Sequence, residues 1–249
     1  MTGAGLELRR VRKSFDDRPV LDDISLVVRP GEFVSIVGPS GAGKSTILNL
    51  LTGRLTPDGG EMLHDGVPLA SGSYRFAFMP QRDALLPWLR IIDNTTLGLE
   101  VAGMKRKAAR ARVAPLFAEF GLDGFERHFP AQLSGGMRQR AALLRTVVQG
   151  KAVLLVDEPF GALDALTRTQ MQQWLAAMWM RHRWTVLLIT HDVREAALLS
   201  DRVYVLSARP ARIARTIPVW LPHPRPAAGS PEVATVEAEI LNTLFNPEF

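Results

Sequence analysis

Cysteine is missing altogether from this chain of 249 residues, so neither a disulfide nor a thiolate metal site can form. Long hydrophobic runs are missing too. The longest apolar stretches, residues 152–156 and 186–189, have strand length and fall far short of the ~18 residues of a membrane span. The first ten residues hold no apolar segment of the kind a secretory signal uses. Charge of one sign is barely in excess: a net +5 does not by itself call for nucleic acid. His64, His128, His182 and His223 show no metal-ligand spacing. What remains is an ordinary globular composition, 47% hydrophobic and 22% charged. It is enough for a sizeable core and for one large domain, or one domain with a subdomain. The chain is expected to be soluble, with any membrane role supplied by a partner.

Apolar patterning predicts strands at residues 6–15 and 24–28, a turn at 16–19 between them, and a short buried strand at 33–37. A helix follows from about 44 to 52, with Gly53 as its stop. Residues 56–60 read as a turn, and strands are expected at 61–63 and 75–79. From 82 to 150 the pattern is mostly helical, broken at Pro87, Gly103, Pro115 and 121–124, with a helix opening at 133–136. Residues 152–156 form an uninterrupted apolar strand. Met171, Trp174, Leu175, Met178 and Trp179 then follow helical spacing. A strand at 185–189, a helix at 193–200 and a strand at 202–206 come next. Residues 208–226 are proline-rich and irregular, apart from a strand at 212–217. Ser230 caps a terminal helix to 244, with Pro231 at its first position. Strands alternating with helices predict an α/β core with a mainly parallel sheet, into which the helical middle is inserted.

Three segments carry chemistry. Gly38-Pro39-Ser40-Gly41-Ala42-Gly43-Lys44-Ser45-Thr46 matches a phosphate-binding loop between a strand and a helix. Its glycines let backbone N–H groups curl around a β-phosphate, and the helix adds its positive end. Lys44 would reach the β- and γ-phosphates, and the Ser45 hydroxyl would ligate Mg²⁺. The apolar strand at 153–156 ends in Asp157 and Glu158, where ligands of such sheets sit. Asp157 is placed to hold Mg²⁺, and Glu158 to orient or deprotonate an attacking water. Leu133-Ser134-Gly135-Gly136 opens a helix with Ser134 as N-cap; its glycines would let an anion approach closely. Spacing alone leaves a plain capped helix as an equal reading.

The order of these segments is specific. The phosphate loop, Gln81, Leu133-Ser134-Gly135-Gly136-Met137, Asp157-Glu158, Gly161-Ala162-Leu163-Asp164 and Thr190-His191-Asp192 together resemble the nucleotide-binding subunit of ABC transporters, over about residues 6–206. The resemblance implies a P-loop NTPase core at about 6–81 and 151–208, with an N-terminal antiparallel β subdomain. It also implies a helical subdomain at about 82–150 and a C-terminal extension at 209–249. It implies that Phe15, where the family usually has Tyr, stacks on adenine, and that Gln81 senses Mg²⁺ and the attacking water. Ser134, Gly135 and Gly136 would meet the γ-phosphate of ATP held on the opposite subunit of a homodimer. Asp164 would lie in the loop linking the two sites, and His191 would contact the γ-phosphate. Met137 stands where the family more often has Gln.

The sequence Leu85-Leu86-Pro87-Trp88, the signature and residues 157–168 are similar to importers of nitrate, aliphatic sulfonates, taurine and thiamine-precursor pyrimidines. The resemblance implies transmembrane permease subunits meeting residues 84–89, and an extracytoplasmic solute-binding protein in the complex. It implies a peripheral position on the cytoplasmic side of the membrane and no nucleic acid partner. Ordinary core packing is the other reading of 85–88. A soluble ABC-type ATPase acting on nucleic acid or ribosomes is the alternative function, although such chains usually carry two modules or coiled-coil insertions. A nucleotide kinase would leave the serine-glycine signature and Asp164 unexplained, and a non-hydrolysing regulatory module would leave Glu158 and His191 so. The basic run at 105–112 reads as a solvated helix face. Trp174, Trp179 and Trp184 read as core or interface.

Overall fold

Apolar runs of five or six residues, bounded by turns, build the centre of the molecule. In a computed structural model, residues 5–69, 75–225 and 229–246 are described. The elements run β1 (Leu6–Phe15), β2 (Arg18–Val28), β3 (Phe33–Val37), α1 (Lys44–Leu51), β4 (Gly59–His64), β5 (Val67–Pro68) and β6 (Ala77–Met79). Then come α2 (Ile91–Val101), α3 (Arg106–Val113), α4 (Leu116–Glu119), α5 (Gly135–Val147), β7 (Val153–Asp157), α6 (Ala165–His182) and β8 (Thr185–Thr190). The chain closes with α7 (Val193–Leu199), β9 (Arg202–Leu206), β10 (Ile213–Pro218) and α8 (Pro231–Phe245). Pro226, the end of the proline-rich stretch, lies outside the described residues.

The main sheet has the order β10-β9-β3-β8-β7-β6, parallel throughout except for β10. Its parallel strands are covered on both faces, which is why they read as continuous apolar runs rather than alternating ones. Along β7, Val153 and Leu155 face α1 and the β subdomain, while Leu154 and Val156 join α5 and α6. A second, antiparallel sheet has the order β2-β1-β4-β5. The fold is thus α/β with a P-loop-type core, as the sequence predicts.

The strand β2 begins earlier than its apolar pattern suggests. Asp16 and Asp17 both take positive φ, 47° and 61°, so the hairpin turns in two residues. Arg18 and Pro19 already pair with Phe15 and Ser14. Proline is tolerated there because β2 is an edge strand.

The helical insertion shares one apolar cluster with the sheet. Phe117, Phe120 and Leu144 belong with Leu154, Leu188 and Trp179. Full burial of each such side chain stabilises by ~1.5–3 kcal/mol. The basic run is more than a solvated face. Arg106 and Arg110 of α3 close on Asp93 of α2 at 2.8 and 2.6 Å. Burial acts to raise the Asp93 carboxyl, but the hydrogen bonds from Arg110 and Arg106 outweigh it and hold it below the usual carboxylate range. Trp179 is buried and donates Nε1–H to Trp184 O at 2.9 Å, fixing the end of α6.

Candidate active site

Glycine makes the phosphate loop possible at two points. Gly41 and Gly43 have φ of 78° and 99°, and a Cβ on Gly43 would sit 2.7 Å from Leu21 Cδ2. The loop therefore curls tightly at the end of β3 and delivers Lys44, Ser45 and Thr46 into the first turn of α1. Lys44 is buried, and its Nζ donates to Gly38 O at 2.7 Å and Pro39 O at 2.9 Å. Burial lowers its pKa, against the raising pull of Glu158 and Asp157.

Parallel neighbours of β3 supply the rest. The strand β7 ends at Asp157, and β8 ends at Thr190. Glu158 leaves β7 with φ of 41°, its N–H held by Ile189 O at 2.8 Å. Its carboxylate lies between two groups: Gln81 Nε2 donates to Oε2 at 2.8 Å, and His191 Nδ1 is 3.1 Å from Oε1. Asp157 is pushed up to about 6 by burial and by the charge of Glu158, with Lys44 pulling the other way. A cleft of about 530 Å³ is lined by Ser40, Gly41, Gly43, Lys44, Ser45, Thr46, Gln81, Glu158, His191 and Arg209, with Asp157 beside Glu158 but outside the lining.

The profile of the family described as ABC transporter matches residues 21–161. The chain belongs to that family. The cassette is 46% identical over 247 residues to a protein described as aliphatic sulfonates import ATP-binding protein SsuB 2, of Pseudomonas aeruginosa (strain UCBPP-PA14), covering 99% of this chain and 87% of that one. Aliphatic sulfonates import ATP-binding protein SsuB of Rhodopseudomonas palustris (strain ATCC BAA-98 / CGA009) is 46% identical over 242 residues, 96% of this chain and 83% of its own. Among solved structures, the dimeric bacterial ABC transporter cassette MJ0796 superposes with a TM-score of 0.73 at 29% identity, covering 86% of this chain and 98% of that one. Its post-hydrolysis state, a dimer bound to ADP and Pi, gives 0.71 over the same shares. The cassette is an ATP-binding ATPase of this family.

Other expected residues lie outside that cleft. Phe15 ends β1 with its ring partly exposed, and Lys13 Nζ is 5.5 Å from the ring centroid. Gly38 packs on Leu206, where a Cβ would meet Leu206 Cβ at 2.9 Å. Pro39 supplies a carbonyl to Lys44, and Ala42 is buried. Ser134 is the N-cap of α5, its Oγ accepting from Met137 N at 3.3 Å. The Met137 side chain packs against the apolar cluster, which gives this position an apolar role. Gly135 and Gly136 press on the next segment: Cβ atoms there would be 3.0 Å from Leu163 Cδ2 and 3.1 Å from Thr167 Cγ2. Asp164 is the N-cap of α6, accepting from Thr167 N at 3.0 Å.

Several working residues carry no recognisable motif. Asn94 is buried in α2 and clamps the stretch after Gln81. Its Oδ1 accepts from Leu86 N at 2.6 Å, and its Nδ2 donates to Leu86 O and Leu89 O at 3.1 Å. Leu85 turns inward while Trp88 is 70% exposed, so residues 85–88 split between packing and presentation. Arg145 Nη2 and Nη1 donate to Asp83 O and Ala84 O at 2.6 Å, and Arg138 Nε to Asp83 Oδ2 at 3.2 Å. The segment beyond Gln81 is thereby tied to α5, the helix that Ser134 caps. The sequence offered no signal for Arg209 beyond its place in an irregular stretch.

Proposed function

We propose that the cassette is the motor subunit of an importer for small organic sulfonates, working as a homodimer on a separate membrane permease. The names of the relatives support the solute class, and the exposed Trp88 in the Asn94-clamped loop supports permease contact near residues 84–89. Among the described residues no helix is long and apolar enough to cross a membrane. A permease and an extracytoplasmic solute-binding protein would therefore complete the path.

The observation that carries the chemistry is the Glu158 carboxylate, held between Gln81 and His191 at the mouth of the phosphate-loop cleft. Glu158 would accept a proton from the water that attacks the γ-phosphorus, as the bond from that phosphorus to the β–γ bridging oxygen breaks and ADP leaves. Lys44 would exchange its two loop carbonyls for phosphate oxygens, and backbone N–H groups of residues 41–46 would hold the β-phosphate. His191 would meet the γ-phosphate, and Phe15 would stack on adenine. Ser45, Gln81 and Asp157 offer oxygen donors of the kind Mg²⁺ prefers. A cation there fits Asp157, a carboxyl already pushed up by burial and by Glu158. When bound, Mg²⁺ supplies charge neutralisation on the phosphate oxygens.

Ser134, Gly135 and Gly136 would act on ATP held by the partner subunit, and Asp164 would link the two sites. Neither half hydrolyses alone on this reading, so turnover waits on dimer closure. A mixture of Ser134→Arg and Lys44→Ala subunits tests this. One composite site of the mixed dimer keeps both intact halves, so the mixture should recover turnover that neither variant shows alone; no recovery would refute sharing between subunits. For the solute, loss of the chain should stop uptake of a labelled alkanesulfonate. Unchanged uptake, with purified ATPase intact, would reject that solute class.

A further inference from the structure

The strands β9 and β3 lie side by side and leave the sheet together, β3 into the phosphate loop and β9 into residues 207–212. The sheet order therefore brackets the phosphate loop. The strands β8 and β7 bring His191 and Glu158 to one flank, and β9 brings residues 207–212 to the other. That second flank is fastened at several points. Ser207 N donates to Arg212 O, and Arg212 N to Ser207 Oγ, each at 3.0 Å. Ala211 N donates to Val20 O at 2.9 Å, and Asp22 N to Ala211 O at 2.8 Å. Neighbouring arginines are neutralised: Arg212 Nε donates to Asp22 Oδ2 at 3.1 Å, and Arg202 Nη2 lies 2.7 Å from Glu32 Oε1.

Arg209 differs from both. It is exposed, it lines the cleft with Ser40, Gly41 and Lys44, and no hydrogen bond or ion pair engages it among the described residues. A guanidinium carried on a clamped loop beside a phosphate-binding loop presents a fork of donors suited to phosphate oxygens.

We propose that Arg209 binds the α- and β-phosphates of the nucleotide held on its own phosphate loop, from the flank opposite Glu158. This rests on the ATPase reading above. The reacting γ-phosphate belongs to the Glu158 flank, so Arg209 contributes equally before and during the reaction. Such uniform binding lowers KM and leaves kcat alone. It also serves ADP as well as ATP.

The test uses the full chain as wild type, Arg209→Ala, Arg209→Lys and Lys44→Ala, with ATP and ADP titrated calorimetrically in the presence of magnesium. Losing one charge-assisted contact should weaken both nucleotides about tenfold in Arg209→Ala and raise KM alike, with kcat within about twofold of wild type. Arg209→Lys should recover most of the affinity. The nucleotide-free melting temperature should not move, because the side chain is exposed and unpaired. Wild-type affinity in Arg209→Ala would overturn the proposal. So would a loss confined to ATP, or a fall in kcat at constant KM. Lys44→Ala separates the two readings. If wild type binds ATP and Lys44→Ala does not, an unaffected Arg209→Ala counts against Arg209 alone. If wild type binds no ATP, the ATPase reading and this proposal fall together.

Discussion

The two glycine-bearing motifs use glycine for different reasons. In the phosphate loop, Gly41 and Gly43 adopt positive φ that side chains rarely take, so backbone N–H groups can converge on one point. In the signature, the glycines lie in ordinary helix at the start of α5, directly after the Ser134 cap. There a Cβ would meet Leu163, just before the Asp164 cap, and Thr167, in the first turn after it. One motif needs glycine for conformation and the other for contact. The first builds a cleft within the chain. The second lets the signature helix approach the Asp164 segment closely. The two regions meet again at α6, where Arg168 Nη1 lies 3.8 Å from Asp192 Oδ2, next to His191.

The largest effect that could break this comparison lies at Glu158. Glu158→Gln should retain ATP binding while turnover falls by about 10²- to 10⁴-fold, the usual worth of a positioned general base. Wild-type turnover in that variant would remove Glu158 from the chemistry. A smaller contrast compares two alanines. Gly43→Ala forces a Cβ against Leu21 in a left-handed conformation, which should cost about 1–3 kcal/mol and weaken ATP binding to the single chain. Gly136→Ala meets the Thr167 methyl at 3.1 Å and the flexible Met171 side chain at 3.6 Å, so the helix should tolerate it at under about 1 kcal/mol. Its affinity for ATP should match wild type, and only turnover by the dimer should fall. Equal losses of ATP affinity in the two variants would show that both glycines serve one site in one chain.

The sequence is most legible where chemistry and chain are local. The bounds of β1, β3 and β9 follow from their apolar pattern, and nine consecutive residues spell the phosphate loop. Gln81 and Glu158 are 77 residues apart, and only the sheet order brings them together. The family resemblance places Gln81 at the attacking water that Glu158 is expected to orient, but it does not pair the two side chains. Tertiary contacts outside any motif stayed hidden. Asn94 carries no periodic signal, yet its amide holds the loop that presents Trp88. The basic run read as solvent-facing because nothing local shows Asp93 buried beneath Arg106 and Arg110. Arg209 lies in an irregular stretch and reaches the cleft only because β9 is parallel to β3.

The smallest effect concerns how firmly the cleft half is braced. Glu195 of α7 is buried beneath the turn that carries His191, accepting from Thr190 Oγ1 at 2.6 Å, while the same Oγ1 accepts from Asp192 N at 3.0 Å. Burial pushes Glu195 up to about 7 from an ordinary 4.5, and the Asp192 charge adds to the rise, against the Thr190 hydrogen bond. A raised carboxyl binds its proton more tightly folded than unfolded. Stability should therefore fall as pH rises from about 4.5 to about 7, with the whole cost present above 7. Glu195→Gln keeps the shape and removes the titration. Its melting temperature should exceed wild type by a few degrees at pH 8, and the difference should vanish near pH 4. If the two proteins melt alike at pH 8, Glu195 is not held in strain at neutral pH. If the variant also loses turnover at constant ATP affinity, the brace under His191 matters to hydrolysis and not only to the fold.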